Sequence, residues 1–302
     1  MCSAYRHFQR QNAQHQHSRG RDCRAESFGS PLLRLLQNEL EIAIHDQTFV
    51  CQNSFAAFIS MNLILLQPDD LWTGSSCFLA KGRRTDHIRF VLRAAVGDTL
   101  RVGLVGGAQG SGRVDRIDDL GVTLSVQLTD PPPRRHRFDI VLALPRPKML
   151  RRILRTVAEF GVSNLHLINS ARVDKSYWQS PLLSEHRIRD ALITGMERSQ
   201  DTIAPRVHCH SRFRPFVEDE LPLLCKGRPC WIADRGAPLA LSQTPCSPAL
   251  VMIGPEGGFV PFEITLATAV VAQRVHLGER ILSVDTALPS VLAQGLSEDL
   301  SA

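Results

Sequence analysis

Short apolar runs punctuated by glycine, aspartate and proline fill the chain from Met61 onward, and their character changes near residue 130. Cys77 to Ala80, Asp98 to Val105, Gly112 to Ile117 and Val122 to Leu128 are brief alternating runs between Gly and Asp turns, which predicts a small β-barrel. Between them, Ile88, Val91, Leu92 and Ala95 make one apolar stripe with Arg89 and Arg93 outside it, so Arg84 to Ala95 is predicted as a helix. Pro131-Pro132-Pro133-Arg134-Arg135-His136-Arg137 then reads as a stiff, solvated linker. Beyond it, apolar strands at Phe138 to Leu144, Asn164 to Ile168, Arg206 to Cys209, Pro229 to Ala233, Ala249 to Ile253 and Arg274 to Leu277 alternate with helix-period stretches. That order predicts an α/β domain over 138–302 with a mostly parallel sheet.

The helix predicted over Lys148 to Phe160 carries the clearest pattern. Leu150, Ile153, Leu154 and Val157 take one side, while Lys148, Arg151, Arg152 and Arg155 follow i, i+3, i+4, i+7 spacing on the other. A stripe of like charges repels itself by a few tenths of a kcal/mol per pair. It reads either as a solvated face or as a surface for phosphates, which would relieve that repulsion.

Residues 1–60 differ from the rest. Met1 to Gly29 is rich in Gln, His, Arg and Ser and reads as disordered. Pro31 to Ile44 has the spacing of a short amphipathic helix, and a second apolar patch spans Phe55 to Ile59. The arginine-containing, acid-free start is also compatible with an organelle targeting peptide.

Composition narrows the classes without choosing among them. The 302 residues have room for two domains, and 43% apolar content suffices for real cores. No apolar run reaches the ~18–20 residues of a membrane span. A formal charge of +5 suits a polyanionic partner without proving one. Cys2, Cys23, Cys51, Cys77, Cys209, Cys225, Cys230 and Cys246 contain no CxxC pair and read as reduced thiols of a cytoplasmic protein. In His208-Cys209-His210 only the two histidines share a strand face, so no metal site is expected.

The candidate chemistry lies near the C-terminus. Ile253-Gly254-Pro255-Glu256-Gly257-Gly258-Phe259 and Leu277-Gly278-Glu279-Arg280-Ile281-Leu282 are glycine turns that end apolar runs, and two such turns at adjacent strand ends make a pocket. No GxGxxG follows the first strand of the α/β domain, which weakens a Rossmann-type alternative.

Together, GPEGG at 254–258 and LGERIL at 277–282 resemble the closing segments of the SPOUT methyltransferases, in particular the RsmE-like family that methylates N3 of a uridine in small-subunit ribosomal RNA. The resemblance runs from about Met61 to Leu296. It implies a trefoil-knot methyltransferase domain behind a PUA-like RNA-binding barrel over 61–130, and S-adenosylmethionine as cofactor, held by Gly254, Leu277, Gly278, Ile281 and Leu282. Ile281 and Leu282 taken alone read as core. Met61-Asn62-Leu63-Ile64-Leu65-Leu66 is similar to the start of an RsmE-like protein, so the first sixty residues read as an extension.

Arg83-Arg84-x-x-His87-Ile88-x-x-Val91-Leu92-Arg93 resembles the family's R-x-x-H-x-x-x-V-L-R segment, which adds Arg83, Arg84 and Arg93 to Arg146, Lys148, Arg151, Arg152 and Arg155 as candidate RNA contacts. Glu256 and Asp285 are the candidate bases, though Asp285 reads equally as a helix cap. Most family members read LRTETA where this chain has Leu282-Ser283-Val284-Asp285-Thr286-Ala287. The family's EQxGR segment is altered to Glu197-Arg198-Ser199-Gln200-Asp201, which makes Arg198 a candidate replacement cation. These departures keep open a catalytically altered RNA-binding protein or a different RNA target. The family also implies a homodimer. The last helix offers Val284, Leu288, Val291 and Leu292 as an apolar side that suits either an interface or the core.

Overall fold

A computed structural model describes residues 62–296. The readings made for residues 1–60 lie outside the described residues.

The first sheet comprises β1 (Ile64–Leu66), β2 (Leu71–Thr73), β3 (Ser76–Ala80), β4 (Thr99–Leu104), β5 (Gln109–Asp118) and β6 (Gly121–Asp130), in the order β1-β4-β5-β6-β3-β2. Only the β1/β4 pair is parallel. Leu79, Val102, Val114, Val122 and Leu124 form its core, each fully buried, as the alternation of their strands requires.

The helix expected over Arg84 to Ala95 is shorter and irregular. A single turn, α1 (Arg83–Asp86), passes into a wide turn over His87–Val91, and Arg93 sits at φ 52°. That left-handed backbone ends the helix, leaving Ile88 buried but Val91 65% exposed.

The second sheet is entirely parallel. Its strands are β7 (Phe138–Ala143), β8 (Asn164–Ile168), β9 (Arg206–His210), β10 (Cys230–Ala233), β11 (Ala249–Ile253) and β12 (Gln273–Val275), ordered β12-β10-β11-β7-β8-β9. Every residue of β7 and β11 is buried, as expected of central strands covered on both faces. Around them pack α2 (Pro147–Glu159), α3 (Glu185–Ser199), α4 (Pro261–Val270) and α5 (Val284–Gln294). Pro147 opens α2, where its missing N–H costs nothing, and Leu150, Ile153, Leu154 and Val157 are buried as predicted. On α5, Val284, Leu288, Val291 and Leu292 belong to the same core, so that side is internal.

Two features tie the sheets together. In and beside β1, Leu63 and Leu65 enter the α/β core while Ile64 and Leu66 enter the other, a direct result of strand alternation. The segment following Met196 supplies the rest. Arg83 donates to both carboxylate oxygens of Glu197 at 2.8 and 2.6 Å, and Glu197 O accepts from Leu63 N at 2.9 Å. Gln109 Nε2 reaches Gln200 O at 2.7 Å, and the buried Asp201 carboxylate accepts from Arg135 of the linker. The segment 197–201, where the sequence departs from the EQxGR pattern, therefore lies at the joint between the two sheets.

Histidines line one edge of the second sheet. The rings of His166 and His208 stack with centroids 4.6 Å apart, and His166 Nδ1 lies 3.1 Å from His210 Nε2. His210 Nδ1 in turn lies 3.0 Å from Glu220. Among the described residues no group of three or more His, Cys, Asp or Glu is placed to hold a metal. Burial first, then repulsion from His208 and His210, pushes the His166 pKa down to about 4. Because the unfolded chain takes up this proton more readily, the contribution is complete above about pH 6.5 and is lost as pH falls towards 4. We expect His166 to cost the fold roughly 3 kcal/mol between pH 7 and pH 4. Denaturation midpoints across that range check it: His166→Leu should flatten the decline, and an equally steep decline in the variant would refute the assignment.

Candidate active site

The backbone turns following Ile253 and Leu277 do converge. They share a cavity of about 370 Å³, which falls within the size range of small-ligand sites. The sequence pattern predicts adjacent strands for these turns, but the strands that carry them are not neighbours. β10 lies between β11 and β12, so its end supplies Ala233, Asp234 and Arg235 to the same wall. All three strands present their C-terminal ends to the cavity, the usual place for a ligand on a parallel sheet.

Glycine is required at two points. A Cβ on Gly254 would lie 2.9 Å from Phe259 N and 3.1 Å from Gly258 C, both backbone atoms of the same loop. Gly278 has φ 111°, a conformation side chains rarely tolerate, and its N–H donates to His276 Nδ1 at 3.1 Å.

The Gly254 loop is fastened from outside. Glu263, 2% exposed in the first turn of α4, accepts from Val260 N at 2.9 Å, Ala171 N at 2.7 Å and Ser170 Oγ at 3.1 Å. Arg172 donates to Gly257 O and Gly258 O. Sequence reading missed both fasteners. For Glu263 a signal existed: a Pro followed two residues later by Glu is the acidic half of a helix-start box. Arg172 carries no local signal.

The lining is chiefly apolar, with a few charged groups. Ile281 is 76% exposed and lines the cavity, so it is a wall residue and not core; Leu282 is half-buried beside it. Asp234, Glu256 and Arg280 are also in the lining. Asp234 accepts from Arg274 Nε at 2.7 Å, which fixes its carboxylate. Such a wall suits a flat, largely uncharged ring system recognised by backbone groups, with charged groups near one end.

The candidate bases each meet a cation from the α2 side. Arg146 Nε lies 3.6 Å from Glu256 Oε1, and Arg152 Nη1 lies 3.2 Å from Asp285 Oδ2. Asp285 is not the cap of α5; Ser283 holds that position, and Asp285 sits in the first turn, where a carboxylate still favours the helix dipole. Arg198 lies apart from these groups. Its guanidinium is 3.6 Å from Glu159, and it does not line the cavity.

The basic residues divide by environment. Lys148 and Arg151 are exposed on α2, and Arg155 is half-buried. Arg84 is committed to the protein, donating to Asp70 at 2.6 and 2.5 Å and to Leu65 O at 3.0 Å. Arg83 is held by Glu197, while Arg93 is exposed.

The chain is 25% identical over 236 residues to ribosomal RNA small subunit methyltransferase E of Treponema pallidum, covering 75% of this chain and 87% of that one. It is 29% identical over 254 residues to the protein of the same name from Synechocystis, covering 81% of this chain and 80% of the other. A Legionella pneumophila structure described as a methyltransferase with bound SAM superposes with TM-score 0.61 at 20% identity, covering 77% of this chain and 95% of that one. A SAM-bound ribosomal RNA small subunit methyltransferase E from Neisseria gonorrhoeae gives 0.60 at 19% identity, with the same coverage. The family model described as an RNA methyltransferase domain matches residues 132–294, which takes in the linker, the whole parallel sheet and both glycine turns. A match over that span, ending on the helix that closes the cavity, places this chain in the RNA methyltransferase family.

Proposed function

We propose that this protein transfers the methyl group of S-adenosylmethionine to N3 of a uridine in small-subunit ribosomal RNA. The observation that carries the reading is the convergence of the Gly254 and Leu277 turns on one cavity of about 370 Å³ with an exposed Ile281 as its wall. The relatives' shared name and the SAM-bound neighbours support the substrate and cofactor.

Bound in this cleft, S-adenosylmethionine would supply an already activated methyl on its sulfonium, so the protein's task is positioning and proton removal. Gly254, Leu277, Gly278, Ile281 and Leu282 would hold the adenine by backbone groups and apolar contact. N3 of uracil carries a proton and lies on the pairing edge, so the base must be unpaired, and Glu256 or Asp285 would accept that proton. The mostly antiparallel first sheet is read as the PUA-like barrel. The crossing from β11 past β10 to β12 is read as part of a trefoil knot, and two chains as the working unit.

Exposed Ser283, where the family has arginine, favours one competitor, a scaffold that binds RNA without catalysis. Calorimetry with S-adenosylmethionine, followed by mass spectrometry of rRNA nucleosides treated with the protein, separates the two. Cofactor binding with 3-methyluridine formation supports the enzyme; absence of cofactor binding overturns it.

Arg151 gives a separate test of the RNA surface, since it is exposed and has no ion-pair partner among the described residues. Arg151→Glu should weaken RNA binding and make its logarithmic salt dependence shallower by about one unit, with cofactor affinity unchanged. An unaltered salt slope would exclude a phosphate contact there.

A further inference from the structure

We infer that Arg146 and Arg152 act as a charge latch between the RNA surface and the cleft. In the free protein they neutralise Glu256, which lines the cavity, and Asp285, which sits between the lining residues Val284 and Ala287; RNA phosphates draw them away and leave both charges uncompensated near the cofactor. This rests on the cofactor and RNA reading above and adds a coupling that the reading does not contain.

The geometry is specific. Arg146 caps the start of α2 and Arg152 lies two turns in, yet each reaches a carboxylate on a different cleft element, the Gly254 loop and the first turn of α5. Both arginine side chains remain open to solvent, at 69% and 68% exposure, whereas their partners are 38% and 23% exposed. The cations are therefore accessible from outside, and the carboxylates are the more enclosed ends. Exposed pairs of this kind are worth only about 0–1 kcal/mol. A phosphate can engage a guanidinium through two charge-assisted hydrogen bonds, so exchange of partners is inexpensive. Arg151 and Lys148 on the same helix would take part in RNA binding without being tied to the cleft.

The consequence has a sign. S-adenosylmethionine carries a positive sulfonium, whereas S-adenosylhomocysteine has a neutral thioether at the same place. Freed carboxylates favour the former, so RNA should raise the preference for substrate cofactor over product, and RNA release should lower it. Reciprocity requires that S-adenosylmethionine also tighten RNA binding relative to S-adenosylhomocysteine by the same factor.

The test is calorimetric titration of both cofactors into the full-length protein, with and without a saturating short single-stranded RNA of defined sequence. For the unaltered protein, the ratio of the two affinities should shift roughly two- to fivefold towards S-adenosylmethionine when RNA is added, the range of an exposed ion pair. In the double variant Arg146→Gln, Arg152→Gln the ratio should start shifted, with RNA adding little. Either single variant should lie between. An affinity ratio unmoved by RNA that demonstrably binds, or a double variant with the original ratio, overturns the latch while leaving the methyltransferase reading intact. Failure to bind either cofactor overturns that reading and the latch with it.

Discussion

Gly254→Ala is expected to remove at least tenfold of the cofactor affinity, about 1.4 kcal/mol, while the sheet stays folded. The added methyl would meet backbone atoms of Phe259 and Gly258, which cannot rotate away as a side chain tip does. Gly254 is itself buried at the end of a fully buried strand, so the loop must move and not the strand. Displacing the loop reshapes the cavity wall and leaves the fully buried β7 and β11 in place. A thermal midpoint within a few degrees of the unaltered protein, together with weakened S-adenosylmethionine binding by calorimetry, is the pattern sought. Unchanged affinity would show that the loop does not contact the cofactor.

Glu263→Ala should have the largest effect on stability of any single change near the cleft. Its carboxylate is almost wholly buried and satisfies two backbone N–H groups and one hydroxyl. Truncation takes a charged acceptor from the N–H groups of half-buried Val260 and exposed Ala171, at a cost of about 2–5 kcal/mol for the two. For a chain of this size that corresponds to roughly 5–15 °C in the unfolding midpoint. Glu263→Gln keeps one acceptor oxygen and should recover part of the loss. Full stability of the alanine variant would mean that these contacts contribute nothing, and equal loss in both variants would implicate charge instead of hydrogen bonding.

The parts of this structure legible in sequence are those set by local period and by glycine. β8 and β11 have the expected bounds, and α2 differs by one residue at each end, because a short apolar run bounded by turn residues or a clear 3.6 period leaves little choice. The two glycine turns were legible for the same reason: each ends an apolar run abruptly. What stayed hidden is relational. That β10 inserts between β11 and β12 depends on crossover order in a parallel sheet, which no local window records. Arg172, Asp234 and the partners of Arg146 and Arg152 depend on contacts between distant loops. The helix over Arg84 to Ala95 failed through backbone geometry at Arg93, since the stripe was present but the chain turned before completing it. Arg198, the candidate replacement cation, pairs with Glu159 outside the cavity lining, a contact no local pattern records.

The alternation in and beside β1 has a consequence for how the chain matures. Leu63 and Leu65 are synthesised before nearly everything they pack against, and their resting place includes α3, which follows only after residues 131–137 and the first two strands of the second sheet. As the polypeptide emerges, the first sheet can pair β1 with β4 early and bury Ile64 and Leu66. The opposite face of that strand waits, greasy and uncovered, until the later half is made. Such long-separation contacts slow assembly and leave a nascent intermediate prone to capture by chaperones.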